Sequence, residues 1–281
     1  MAIATFTTPR GVFSVDPVSD AKMAAALRRG EPHGDETLEL FSALVGKESV
    51  VLDIGAHIGT LAVPLARMVR TVVAFEPVPS SFRLLVQNAA QNGVRIDARN
   101  KGLALRAGRA SATVMNPGNA GANTMAPGEG ELALSTLDEE AERADLIKID
   151  VEGMELEVLR GGERLIAAAA PLVFFEVNLF QMRAHKASLR ALQAFFRKRG
   201  YRLFIPIKTK RGLGLGRVAN LTLLTALIAP RALFFRGPSA PFDILAAPAG
   251  KSLPLRELSA ARTLGLLMLR YLRAKARQWG L

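Results

Sequence analysis

Residues 50–60, Val50-Val51-Leu52-Asp53-Ile54-Gly55-Ala56-His57-Ile58-Gly59-Thr60, decide the fold. A short run, apolar on both faces, meets a glycine turn, and a helical pattern follows from Gly59 to Met68. Glycines at a strand-to-helix turn let the backbone approach a ligand closely, and the helix start offers unpaired N–H groups. Several nucleotide-binding folds share such a turn, so its chemistry has to be read from the residues around the glycines.

From this turn onward, strands and helices alternate. Thr71–Phe75 reads as a second strand ending at Glu76-Pro77, followed by a helix from Ser80 or Ser81 to Asn92 with Gly93 as its stop. A third strand falls within Ile96–Leu105, and a short helix within Leu137–Arg143. Leu146–Ile149 predicts a strand ending at Asp150, then a helix over Met154–Ala168, then a strand at Leu172–Phe175 ending at Glu176. Short strands apolar on both faces and separated by helices predict a doubly wound, mostly parallel α/β sheet, Rossmann-like in plan. Ligands bind such sheets at the carboxyl edge, where Glu76, Asp150 and Glu176 are expected to stand. Further on, a helix is expected over Ser188–Arg199, and strands at Tyr201–Ile207, Leu221–Ile228 and Phe242–Ala246. Asn116–Gly130, rich in Gly, Asn, Ala and Pro, reads as a long loop, and its part Asn116–Thr124 could line an acceptor pocket, form a lid or be a plain flexible connection.

The turn distinguishes between cofactors. The dinucleotide fingerprint places a glycine where this chain has His57, so that a pyrophosphate can approach. Asp53 would repel a pyrophosphate but suits a ligand carrying an ammonium and a sulfonium. Glu76 stands where a carboxylate can accept both ribose hydroxyls, a role common to both cofactor types. Asp53, Gly55, Ala56, His57, Gly59, Glu76 and Pro77 are therefore the expected cofactor-binding residues, and S-adenosylmethionine is the expected cofactor.

Three stretches carry a family resemblance: VLDIGAHIGT at 51–60, VAFEPVPSSFRLLVQNAAQNG at 73–93 and LIKIDVEGMELEVLRGGERLI at 146–166, with PLVFFEVN at 171–178 beside them. Over residues 35–205 the chain resembles the FkbM methyltransferases. The resemblance implies a class I methyltransferase fold, S-adenosylmethionine as donor, and methylation of a hydroxyl, often on a sugar or natural product. It carries Asp53, Gly55 and Gly59 over as the cofactor loop and Glu76 as the ribose ligand. No acid matches the adenine-binding position after the third strand: Asp97 lies too early, and the strand end reads Gly102-Leu103-Ala104.

Methyl transfer to an alcohol needs positioning and a base, which contributes roughly 10²–10⁴-fold. Asp150 is the first candidate for the base and Glu176 for holding acceptor hydroxyls, which makes these two the expected catalytic residues. The alternative for Asp150 and Glu152 is capping the following helix. An Asp-x-Glu pair could also hold a divalent ion, but no metal is assigned. His57 reads as structural within the turn, His185 as a surface residue or acceptor contact, and Lys148 as a strand lysine that snorkels or pairs with an acid.

The chain has 281 residues, no cysteine and a formal charge of +12. Without cysteine, disulfides, thiolate zinc sites and cysteine nucleophiles are excluded. The charge is concentrated at one end: residues 251–281 hold seven Lys/Arg and one acid, a net of +6. With aromatics at only 6%, nucleic acid is not the expected partner. Residues 255–278 predict a basic amphipathic helix, with Arg256, Arg262, Arg270, Arg273 and Arg277 in one arc. It would lie on an anionic membrane surface or pack on the domain or a second subunit. The expected organisation is an N-terminal extension (1–34), a methyltransferase domain (35–250) and the basic helix (251–281). No secretory signal is read at the N-terminus, so a cytoplasmic or membrane-peripheral enzyme is expected, with a small-molecule or glycan acceptor and room for an oligomer. The competing readings are an NAD-dependent oxidoreductase and a non-catalytic module that keeps cofactor binding.

Overall fold

The computed structural model describes residues 3–30, 35–113, 118–119, 124–209, 212–228 and 241–268. Contacts divide the chain into two compact units, Met1–Pro171 and Leu172–Leu281.

The first unit opens with a hairpin, β1 (Ala4–Thr8) and β2 (Gly11–Val15), then α1 (Ala21–Arg28) and α2 (Asp35–Leu44). Next come β3 (Val50–Ile54), α3 (Ala62–Leu65), β4 (Thr71–Phe75), α4 (Pro79–Gln91) and β5 (Asp97–Arg99). The short strands β6 (Gly102–Leu103), β7 (Gly108–Thr113), β8 (Thr124–Pro127) and β9 (Leu132–Ser135) form a separate sheet in the order β6-β9-β7-β8. The unit closes with α5 (Leu137–Glu140), β10 (Leu146–Ile149), α6 (Glu155–Arg160) and α7 (Glu163–Ala169).

Its main sheet runs β10-β3-β4-β5, every pair parallel. Val51, Leu52, Ile54, Phe75, Leu146, Ile147 and Ile149 are all buried, so both faces are covered, as a parallel sheet requires. This is the expected α/β arrangement. The helix expected over Met154–Ala168 is instead α6 and α7, broken at Gly161-Gly162. A Cβ at Gly161 would overlap the Ala104 carbonyl oxygen, and one at Gly162 the Leu137 side chain. The glycines let neighbouring chain come that close.

Two stretches differ from expectation here. Within residues 1–34, expected as an N-terminal extension, β1, β2 and α1 are built into the core. Phe13, Val15, Met23, Ala24 and Leu27 form one buried cluster with Ile58, Val63 and Leu84. Part of the expected loop at 116–130 is strand β8; residues 116–117 and 120–123 lie outside the described residues.

The second unit contains β11 (Leu172–Val177), α8 (Leu179–Ala184), α9 (Leu189–Lys198), β12 (Tyr201–Thr209), β13 (Gly212–Val218), α10 (Leu221–Ile228), β14 (Phe242–Pro248) and β15 (Arg256–Leu258), then a helix over 260–268 (α11). Its strands run β11-β14-β12-β13-β15 and are antiparallel except for the β13–β15 pair. Leu221–Ile228, expected as a strand, is a helix: Asn220 Oδ1 accepts the Leu223 N–H at 2.9 Å and caps it. Strand β13, with its alternating glycines, was not expected. The basic helix expected over 255–278 is interrupted at its start by β15, so Arg256 stands on a strand. Arg270, Arg273 and Arg277 lie outside the described residues. Among the described residues, no helix is long and apolar enough to cross a membrane.

Candidate active site

The turn after β3 is shaped by its neighbours. Gly55 and Ala56 both donate backbone N–H bonds to the Phe75 carbonyl at 3.0 Å, folding the turn over the end of β4. Gly55 has φ +81°, a region that favours glycine, and an added Cβ would overlap the Asp150 carbonyl oxygen. Asp150 in turn donates its N–H to the Ile54 carbonyl at 3.0 Å. The cofactor turn and the Asp150 loop are thus in direct backbone contact. Gly59 (φ +85°) and His57 (φ +53°) also occupy left-handed backbone, unusual for histidine and a sign of local constraint.

Asp53 is fully buried on β3. Its Oδ1 lies 3.0 Å from the Lys148 ammonium, and neither carboxylate oxygen has another hydrogen-bond partner. Lys148, on the adjacent strand β10, also donates to the Gly55 carbonyl at 2.7 Å and stands 3.6 Å from Asp150 Oδ2. Burial alone would lower the lysine pKa, but the charges of Asp53 and Asp150 outweigh it and raise it above the ordinary range. The lysine is therefore a fixed cation linking the turn to the acidic loop.

Glu76, just past the end of β4, is buried. It accepts the His57 N–H at 2.8 Å through Oε2 and the Val78 N–H at 2.9 Å through Oε1. Burial pushes its carboxyl above the usual range, against the opposing pull of His57. Asn100 clamps the same corner, donating to the Glu76 and Pro77 carbonyls at 2.8 and 3.0 Å.

Asp150 follows β10 and is half-buried. The capping alternative for this acid does not hold for its side chain, because the N-cap of α6 is Met154, with no side-chain cap bond. The loop is held instead by Glu155, whose Oε1 accepts the Gly153 N–H at 3.0 Å and the Val151 N–H at 3.4 Å. Glu155 is buried, its Oε2 has no hydrogen-bond partner, and burial, reinforced by the Asp150 charge, pushes its pKa up to about 7. Glu176 lies in the second unit, inside β11 and not past its end as expected, in register with Asp243 of β14. His185 is the C-cap of α8.

Sequence reasoning missed the N-terminal contribution. Asp20, the N-cap of α1, places Oδ2 3.0 Å from His57 Nε2. The fully buried Asn88 of α4 donates to the Ser14 and Ile58 carbonyls at 3.1 and 2.8 Å and accepts the Ser14 N–H at 2.7 Å. Residues 14 to 20 are thereby tied to the cofactor turn. Asn92-Gly93 signals locally that the helix stops, but nothing local marks the long-range pairing of Asn88 with Ser14.

The donor set fits a cationic nucleoside. Asp53 and Asp150 place two carboxylates on one lysine, Glu76 adds a third carboxyl at the same turn, and the buried Asp53 has oxygens that no neutral donor satisfies. A pyrophosphate would meet a net negative charge at this turn.

The profile of the Methyltransferase FkbM domain matches residues 53–203. The hexuronic acid methyltransferase AglP of Haloferax volcanii is 31% identical over 140 residues, which cover 47% of this chain and 56% of that protein, so the match spans about half the length of that relative. Among solved structures, an FkbM methyltransferase from Methylobacillus flagellatus KT shares 19% identity over 50% of this chain and 36% of its own, with a TM-score of 0.38. The TYW2 protein of M. jannaschii, solved in complex with AdoMet, shares 14% identity over 87% of this chain and 84% of its own, with a TM-score of 0.44. The family match covers more than half of the 281 residues. The chain belongs to the FkbM methyltransferase family, with a Rossmann-like α/β fold and S-adenosylmethionine as its cofactor.

Proposed function

We propose that the chain methylates a hydroxyl of a sugar, with Asp150 as the base that takes the hydroxyl proton. The observation that carries this reading is the half-buried Asp150 carboxylate, held beside the cofactor turn by the contact of its backbone with Gly55 and of its side chain with Lys148. The cofactor supplies a methyl group already activated on a sulfonium. The protein then has to orient the acceptor and hold its proton acceptor in place, and orientation contributes on the order of 7–11 kcal/mol in favourable cases. Asp53 and Glu76 are assigned to the cofactor's cationic and ribose groups, with Gly55, Ala56, His57, Gly59 and Pro77 forming the backbone cradle around them. A sugar acceptor is supported by the hexuronic acid methyltransferase relative. Glu176 is assigned to acceptor hydroxyls.

The test is a methyl-transfer assay with labelled S-adenosylmethionine and a panel of hexuronides and neutral glycosides. Asp150→Asn should lower turnover by roughly 10²-fold or more while leaving cofactor affinity within a few-fold. Turnover unchanged in Asp150→Asn removes Asp150 as the base. Label appearing only on amines or on nucleic acid refutes hydroxyl transfer. A raised acceptor KM at unchanged turnover in Glu176→Gln supports its assigned role, and an unchanged KM overturns it.

A further inference from the structure

Beside the cofactor turn lies a cavity of about 210 Å³, walled on one side by the N-terminal segment and on the other by α4. Its polar lining includes Asp16, Asp20, His57 and Arg83, and Val15, Ile58 and Leu84 give an apolar wall. Asp53, Gly55, Glu76 and Asp150 are not among its lining residues, so it adjoins the cofactor site through His57 without being part of it.

The groups lining it are arranged for a ligand. Asp20 Oδ2, a buried acceptor, lies 3.0 Å from His57 Nε2, and the two atoms face each other at the edge of the cavity. The Val18 N–H, 3.0 Å from Asp16 Oδ1, holds the Asp16 carboxyl below the ordinary carboxylate range, so this second acceptor is charged at neutral pH. Carboxylates accept hydrogen bonds from hydroxyls, and apolar walls pack against the C–H face of a pyranose. Arg83, exposed on α4, adds a cation whose planar fork suits a carboxylate. Complete ligand pockets usually enclose about 300–1,000 Å³. This smaller volume suits a single ring and not a whole nucleoside cofactor.

We infer that this cavity is a sugar subsite for the acceptor, taking a hydroxylated pyranose ring with its hydroxyls on Asp16 and an anionic substituent on Arg83. The inference rests on the sugar-methyltransferase reading and adds a site for the acceptor to which Val15, Asp16, Ser19 and Asp20 contribute. These residues precede the segment that matches the family profile.

The test titrates the full chain, saturated with S-adenosylhomocysteine, with methyl β-glucuronide and with methyl β-glucoside. Wild type is expected to bind the glucuronide more tightly. Arg83→Gln should weaken glucuronide binding on the order of tenfold, leaving the glucoside and S-adenosylhomocysteine affinities unchanged. Asp16→Asn, which keeps the Oδ1 acceptor for Val18, should weaken both sugars. Equal glucuronide affinity in wild type and Arg83→Gln overturns the subsite, as does a parallel loss of S-adenosylhomocysteine affinity, which would assign the cavity to the cofactor. Wild type that binds S-adenosylhomocysteine but neither sugar overturns the subsite and leaves the cofactor assignment standing. Wild type that binds none of the three ligands overturns both.

Discussion

Replacing Lys148 with methionine removes the ammonium and keeps much of the side chain's length and bulk. The Asp53 carboxylate would then be left fully buried with no cation or hydrogen-bond donor, because Lys148 is its only partner among the described residues. The Gly55 carbonyl would lose its 2.7 Å bond at the same time. Solvent screening is slight here: the Lys148 and Asp53 side chains are 11% and 1% exposed. Breaking a buried pair on one side costs about 3–5 kcal/mol, against a total stability of roughly 5–15 kcal/mol. Urea unfolding at pH 7 measures the loss as a lowered midpoint at constant slope. The lysine pKa is raised on folding, so its contribution is complete below its unfolded pKa of about 10.4 and fades only as the pH climbs through the higher folded value. A neutral measurement therefore captures all of it. The double variant Lys148→Met with Asp53→Asn should regain most of the loss, since it leaves no orphaned charge. A single-variant loss below about 1 kcal/mol, or a double variant no more stable than the single, would refute the electrostatic account.

Further outcomes follow from the same contacts. The pKa of Glu155, about 7 in the fold, exceeds the unfolded value of about 4.3, so the native state keeps a proton that the unfolded chain has lost. Stability should fall as pH rises from about 4.3 to 7, by roughly 3 kcal/mol, and Glu155→Gln should flatten that slope in urea midpoints taken at pH 5 and pH 8. Asn88→Ala should cost roughly 2–5 kcal/mol, because it strands the buried Ser14 N–H and the Ser14 and Ile58 carbonyls. Hydrogen exchange at the Val12 and Ser14 amides should quicken along with it, the Val12 amide because its partner Asn92 sits on the same helix end. Unchanged protection there would mean that Asn88 does not tie β2 down.

The parallel strands were legible because burial on both faces leaves an unmistakable run: Thr71–Phe75 and Leu146–Ile149 fall where the sequence places them. Leu221–Ile228 misled for the same reason. An apolar run of that length has no period to separate helix from strand, and the deciding signal was the Asn220 cap. In β13 alternating glycines hide the strand; at Gly216 a Cβ would collide with Thr263 and Ile207 side chains. At the site, Asp53, Glu76 and Asp150 were readable from strand ends. Their supports were not. Asp20 meets His57 across 37 positions and Asn88 meets Ser14 across 74, and pairings that distant leave no local pattern.

Whether the turn after β3 hosts a cationic nucleoside is decided by calorimetry of the full chain with S-adenosylmethionine and with NAD, on wild type and Glu76→Gln. Binding of S-adenosylmethionine by wild type, weakened on the order of tenfold or more in Glu76→Gln, with no heat from NAD, is the predicted result. Binding of NAD with none of S-adenosylmethionine by the same folded sample would contradict it.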